Sequence, residues 1–260
     1  MKDVLSPHQI AVANRLISEE NAKRTHLVIS LSGAHAYGFP SPDSDLDLKA
    51  IHIASTRELL GLGPEPKAAE RMEIVEGVEL DYSSNELQHV LKGVLHGNGN
   101  YLERILGHLQ PFEGEDLALL RPLVKACLSQ NLHRHYNGFA RSQLKEWEKT
   151  GFKVTKKLLY VVRTTMTGLH ALTAGEIVTD LRTLVDGYGL TGVSELIEQK
   201  QRGELSELPE PLAIEWRGRV EAFFERLDAA VKVSRLPTEP SEAAVMALED
   251  WLVDVRQRRF

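Results

Sequence analysis

Three aspartates carry the chemistry this sequence can offer: Asp45 and Asp47, two residues apart, and Asp81 further along the chain. In an extended strand, side chains at i and i+2 leave the same face, so Asp45 and Asp47 set two carboxylates side by side. Their mutual repulsion invites a cation. Oxygen donors without histidine or cysteine beside them favour Mg²⁺, which binds a few carboxylates and keeps its other positions for phosphate oxygens. Asp81 interrupts the β-type run Val78-Glu79-Leu80-Asp81-Tyr82 and, on a neighbouring strand, would complete the set.

Asp-x-Asp alone is common in loops, but the residues before it narrow the reading. Ser32-Gly33-Ala34-His35-Ala36-Tyr37-Gly38 follows an apolar run, and Ser44 directly precedes Asp45. The order strand, Gly-x-x-x-x-Gly, Ser-Asp-x-Asp, strand, distant Asp supplies backbone N–H groups near the carboxylates, suited to holding a triphosphate beside a metal.

The elements that must position these groups are legible. Ser6-Pro7-His8-Gln9 reads as a capping box that opens a helix. Leu27 to Leu31 reads as a buried strand, Gly33 to Ser44 as a loop, and Leu46, Leu48, Ile51 and Ile53 as a second strand. Gly61, Gly63, Pro64 and Pro66 mark a turn region. Met72 to Glu76 and Val78 to Tyr82 flank Gly77 like hairpin arms, and Ser83-Ser84-Asn85-Glu86 reads as the cap of a helix through Leu95. Past residue 115 only helical periodicity remains, with helices expected near 176–185, 192–201, 211–233 and 241–258. The fold class expected is α/β with a short mixed sheet in a first domain, residues 1–115, followed by an all-helical C-terminal domain, residues 116–260.

On one of those helices Lys156, Tyr160, Arg163, Thr167 and His170 form a polar stripe beside an apolar face. The stripe either lines a cleft, where Lys156 (or equally Lys157) and Arg163 would meet phosphates and Tyr160 would stack or hydrogen-bond, or is a solvated face. His35 either approaches phosphate or the acceptor, or holds its loop. Arg256, Arg258 and Arg259 form a basic end that either touches RNA or is solvated.

Composition sets outer bounds. The 260 residues are 42% hydrophobic and 26% charged with a net charge of −6, which excludes a disordered chain and argues against a general nucleic-acid or membrane surface. The lone Cys127 lies in an apolar run and reads as core. The N-terminus lacks an apolar leader and no stretch is long enough to span a membrane, so a cytoplasmic location is expected.

Ser32 to Gly38 together with Pro42-Asp43-Ser44-Asp45-Leu46-Asp47 resembles the Gly-Ser-His-Ala-Tyr-Gly…Ser-Asp-x-Asp signature of polymerase-beta-like nucleotidyltransferases, and is most similar to the branch found beside RNA-repair ligases. The likeness extends through Leu80 to Ser83, Lys92 to Leu106, His135 to Leu144 and Lys156 to Gly168, covering most of residues 27–175. It implies transfer of a nucleoside monophosphate from an NTP such as ATP to a hydroxyl, with pyrophosphate released and two Mg²⁺ ions (or Mn²⁺) held by Asp45 and Asp47, Asp81 binding the one that activates the acceptor. It also implies nucleotide contacts from Gly33, Ala34, His35, Ser44, Lys156, Lys157, Tyr160 and Arg163, with the helical domain completing a cleft. Ala34 departs from the family's serine and removes one hydroxyl, worth on the order of 1 kcal/mol. The acceptor is expected to be an RNA or DNA 3′ end. A protein or tRNA hydroxyl, as in toxin and antitoxin enzymes, is the alternative of the same chemistry, and a nucleotide-binding regulator with weak turnover is the alternative of another class. Base preference, oligomeric state and the role of residues 190–260 are not legible.

Overall fold

The computed structural model describes residues 4–64 and 67–260; Pro66 of the expected turn region and the first three residues of the N-terminal stretch read above lie outside them. In chain order the elements are α1 (Pro7–Asn21), β1 (Thr25–Leu31), α2 (Gly33–Tyr37), β2 (Leu46–Ile53), α3 (Thr56–Leu60), β3 (Ala69–Val75), β4 (Val78–Glu86), α4 (Leu87–Leu95), α5 (Gly99–Leu106), β5 (Phe112–Glu113) and α6 (Leu117–Ala126). There follow α7 (Asn131–Lys149), α8 (Thr155–Ala174), α9 (Leu181–Tyr188), α10 (Val193–Lys200), α11 (Glu210–Val233) and α12 (Glu242–Arg258). The expected α/β class with a mixed sheet and a helical C-terminal part is what forms. No helix among the described residues is long and apolar enough to cross a membrane.

Contacts divide the chain into two compact units. One comprises Met1–Gly33, Asp45–Leu128 and Glu239–Phe260, the other Ala34–Ser44 and Ser129–Thr238. The chain therefore passes between units four times.

In the first unit the strands lie in the order β3-β4-β2-β1-β5. Strand β2 runs antiparallel to β1 and parallel to β4, and β3 closes on β4 as a hairpin. The hairpin turns on Glu76 and Gly77, both at positive φ (52° and 83°), the backbone pair that a two-residue turn needs to match strand twist. Strand β4 continues through Ser83 to Glu86, so the expected Ser-x-x-Glu cap is instead strand; Glu86 itself caps α4 by accepting from the Gln88 N–H. Pairing with β2 outweighs the local capping signal. At the N-terminus the capping box forms as read, with the Ser6 hydroxyl and Gln9 side chain satisfying each other's backbone N–H groups.

The C-terminal arginines, of which Arg258 stays largely exposed, each pair with a carboxylate of the first unit. Arg256 donates to the Ala54 carbonyl and pairs with the buried Glu86, while Arg258 and Arg259 both donate to the buried Asp116, at 2.9 and 3.0 Å. Burial alone would raise the Asp116 carboxyl, but the two guanidiniums hold it below its ordinary value. Helix α12 is thus fastened to the sheet unit by side chains that pair across more than 140 residues of sequence.

On the sheet face opposite Asp81, Tyr82 is buried and its hydroxyl donates to His26 Nε2 at 2.7 Å, while His26 Nδ1 donates to Asn21 Oδ1 at 2.7 Å. Arg24 donates in turn to the Tyr82 oxygen at 3.2 Å. A protonated His26 would have to donate where Tyr82 already does, in an interior that disfavours charge. Burial, then the nearby Arg24 charge, lowers its pKa from 6.5 to about 4, and burial lowers His52 beside it. The folded pKa lies below the unfolded one, so the unfolded state binds more protons: this contribution is complete above about pH 6.5 and is lost as pH falls towards 4. We expect His26→Gln to flatten the acid limb of a urea-denaturation series between pH 7 and 4.5, by up to roughly 3 kcal/mol. Parallel curves for the two proteins would contradict this account.

The second unit is built around α8, which is buried along nearly its whole length from Leu158 to Leu169. Helix α7 turns Leu132, Tyr136, Ala140 and Trp147 inward, and α11 does the same with Trp216, Val220, Phe224 and Leu227. Gly168 lets Tyr136 approach, since a Cβ there would stand 2.5 Å from the tyrosine's own.

Candidate active site

Strand pairing does what i, i+2 spacing cannot do alone. In the parallel β2/β4 ladder, Asp47 and Asp81 are register partners, which sets their carboxylates on one face of adjacent strands. Asp45, at the mouth of β2, shares that face by alternation. The alternate residues Leu46, Leu48, Leu80 and Tyr82 are buried on the other side, so the core fixes the register and with it the acids' direction.

Gly33, at the end of β1, completes this arrangement. It sits at φ +65°, and a Cβ built on it would lie 1.8 Å from Asp47 Oδ2. Ser32 N–H donates to the Asp47 carbonyl at 2.9 Å, tying the β1 end to the start of β2. The glycine is therefore required by the carboxylate as much as by the turn.

Two groups that sequence reasoning passed over belong to the same face. Lys49, two residues after Asp47, places its ammonium 2.8 Å from Asp81 Oδ2 and 3.9 Å from Asp47 Oδ1. Glu79, two residues before Asp81, is hydrogen-bonded to Asp45, which pushes the exposed Glu79 carboxyl above its ordinary value. Both were readable from the strand alternation that selected the aspartates. Among the described residues no three His, Cys, Asp or Glu side chains already form a cage for a metal. The acids stand as two pairs, Asp47 and Asp81 about the Lys49 ammonium and Asp45 hydrogen-bonded to Glu79. All-oxygen donors with a cation already seated between two of them fit a hard divalent ion chemically.

The remaining expected contacts lie in the second unit. Gly33 to Gly38 is a turn of helix, α2, where a loop was expected. Ala34 and His35 are buried in it, and the Ala34 carbonyl accepts the Phe39 N–H at 3.1 Å. Tyr37 anchors the segment: the Arg163 guanidinium lies 3.6 Å from its ring centre and Tyr160 meets it edge-on at 5.7 Å. Arg163 is only 1% exposed and Thr167 is fully buried, donating to the Val178 carbonyl, so this stretch of the stripe is interior. Lys156 and Lys157 are half-exposed, and Lys156 pairs with Glu204. Ser44 is buried and accepts from the Ser41 N–H at 3.0 Å. Asp180, which a Cβ on Gly38 would strike at 2.1 Å, caps α9.

Residues 9–254 match RlaP, the RNA repair pathway DNA polymerase beta family. The uncharacterized protein MJ0002 of Methanocaldococcus jannaschii is 29% identical over 232 residues, covering 86% of this chain and 92% of that one. Among solved structures, a nucleotidyltransferase-like protein from Exiguobacterium sibiricum aligns at 12% identity over 96% of this chain and 80% of its own, with a TM-score of 0.35. With the family match extending over nearly the whole chain and the Gly33, Asp45, Asp47 and Asp81 arrangement in place, this protein belongs to the RNA repair pathway DNA polymerase beta family of nucleotidyltransferases.

Proposed function

We propose that the chain transfers a nucleoside monophosphate from an NTP to a hydroxyl, in a reaction dependent on Mg²⁺ or Mn²⁺, and that an RNA 3′ end is the favoured acceptor. The observation that carries the reading is the register pair Asp47 and Asp81 with Asp45 beside it, drawn against a glycine that leaves room for the carboxylate. The acceptor oxygen forms a bond to the α-phosphorus, the bond from that phosphorus to the bridging oxygen breaks, pyrophosphate leaves and the hydroxyl proton is lost. Bound divalent ions would neutralise phosphate charge and acidify the acceptor hydroxyl. Asp45 and Asp47 would hold them, with Asp81 on the acceptor side. Ser44, Lys156 and Lys157 are assigned to phosphate; Gly33, Ala34 and His35 to the backbone cradle; Tyr160 and Arg163 to support of that cradle through Tyr37.

Lys49 has a defined part in this reading. Its ammonium compensates Asp47 and Asp81 until a divalent ion takes over. Lys49→Met should tighten Mn²⁺ binding without nucleotide by about fivefold, a modest gain because Asp81 is 38% exposed and water screens the charge. Titration followed by Mn²⁺ electron paramagnetic resonance measures it; unchanged or weaker affinity would show that the lysine does not compete.

The reaction itself is tested with α-labelled NTPs, Mg²⁺ or Mn²⁺, and RNA, DNA and protein acceptors, following pyrophosphate release and label on each. Label on RNA supports the reading as stated, and label on protein or on the chain itself moves the acceptor to the alternative. NTP binding with no label on any acceptor refutes transfer and leaves a nucleotide-binding regulator.

A further inference from the structure

The sheet face that carries the acids does not end at Asp81. Strand β3 pairs antiparallel with β4 in an unbroken register, with Ile74 opposite Glu79, Met72 opposite Asp81 and Glu70 opposite Ser83. Cross-strand partners leave the same face, their Cβ atoms about 4.5–5.5 Å apart. Met72, Asp81 and Asp47 therefore form one row across three strands, with Ile74 and Glu79 in the row beside it. Met72 is 81% exposed and Ile74 70% exposed. The alternate residue Arg71 leaves the other face of β3, where it meets Glu19 and Glu20 of α1.

A single exposed apolar residue is ordinary, and edge strands are commonly guarded by charge. Here two large apolar side chains stand together on the open face of an edge strand, at the positions opposite Glu79 and Asp81. An exposed apolar pair rimmed by polar groups marks a contact surface, and charge limits what can occupy it. On β2, β3 and β4 this face carries Asp45, Asp47, Asp81, Glu79 and Glu70 against the ammonium of Lys49; Arg104 joins it further along, at Asn85. A phosphodiester laid over β3 would meet carboxylates, whereas an uncharged base or ribose would meet Met72 and Ile74. Adjacent strands are about 4.8 Å apart, so a nucleoside whose hydroxyl reaches Asp81 extends over Met72.

We propose that Met72 and Ile74 are the acceptor platform: they take the base and ribose of the acceptor's terminal nucleoside while its hydroxyl faces Asp81. The role given to Asp81 rests on the transfer reading above. The platform holds its ligand by shape and dispersion and offers no hydrogen bond to a base edge, so it discriminates little between bases. An unbranched thioether adapts to a flat ring, and every base has a face to present to it.

The test is photo-crosslinking of the whole chain to a short RNA whose 3′-terminal base carries a diazirine, with Mg²⁺ and an NTP analogue that cannot be cleaved between its α- and β-phosphates. Peptide mass spectrometry should place the attachment on β3, at or beside Met72 and Ile74; attachment confined to other elements overturns the proposal. In steady-state transfer, Met72→Ser should raise the KM for RNA about tenfold and leave kcat and the KM for NTP within about threefold, while Met72→Leu keeps all three. A Met72→Ser protein with unchanged RNA KM, or one that loses kcat instead, also overturns it. Sedimentation of both proteins tests another occupant: self-association that Met72→Ser abolishes would give the face to a second copy of the chain. A Met72→Ser defect confined to a protein acceptor would give it to a peptide; either result refutes the platform. Attachment to β3 in a chain that labels no acceptor upholds the platform and refutes only the transfer reading, and labelled RNA with attachment elsewhere does the reverse.

Discussion

Gly33→Ala should lower nucleotidyl transfer by at least about 100-fold, a loss of roughly 2.7 kcal/mol of transition-state stabilisation. Two costs coincide at this residue. An alanine at φ +65° carries a backbone penalty of about 1–2 kcal/mol. The new methyl would also stand 1.8 Å from Asp47 Oδ2, 2.7 Å from its Cγ and 3.1 Å from its Cβ. So short a side chain can yield only by rotating its carboxylate away from Asp81. Reactive sites tolerate displacements of about half an ångström, and this one would be larger. Initial rates with saturating NTP, together with a melting curve, separate the two costs: the backbone term lowers the melting temperature, and the carboxylate term lowers the rate in protein that remains folded. Activity within threefold of the unsubstituted chain would mean that the Asp47 carboxylate is not used in the orientation found here.

The second large effect is expected at Asp81. Asp81→Asn keeps shape and removes charge from the group paired with Lys49 at 2.8 Å. If Asp81 serves the acceptor side, the rate should fall by at least about 100-fold while NTP affinity stays within about threefold, because the phosphate contacts assigned above lie elsewhere in the chain. Single-turnover rates and equilibrium NTP binding on the same preparation distinguish the outcomes. A large loss of NTP affinity would move Asp81 to the nucleotide side. An unchanged rate would remove it from the reaction and leave the register pair as a structural ion cluster with Lys49.

Both expectations depend on features that were legible to different degrees. The β1 and β2 runs, the turn about Gly77 and the Ser6 capping box were readable because each is written within a few neighbouring residues, as alternation, a turn signal or a cap. Strand β5 and the strand character of Ser83 to Glu86 were not, since both exist only because a partner strand offers its ladder. The polar stripe on α8 was correctly spaced, yet Arg163 and Thr167 are interior: the Arg163 guanidinium lies against the Tyr37 ring and the Thr167 hydroxyl donates to the Val178 carbonyl, both on segments that helical spacing does not reveal.

The same division holds for the candidate site. The sequence by itself determined the family, the three acids and the glycine loop before them, because type and spacing survive without coordinates. Tertiary structure alone decided that Asp47 and Asp81 face one another across parallel strands with Lys49 between them. It also decided that Arg256, Arg258 and Arg259 answer Glu86 and Asp116, and that Lys200 is buried under Ser41 and Ser44 with Glu204. The reason is the range of the interactions. Propensity, capping and alternation act over a few bonds, whereas a buried charge takes its partner from whatever segment packing brings beside it, here up to 170 residues away.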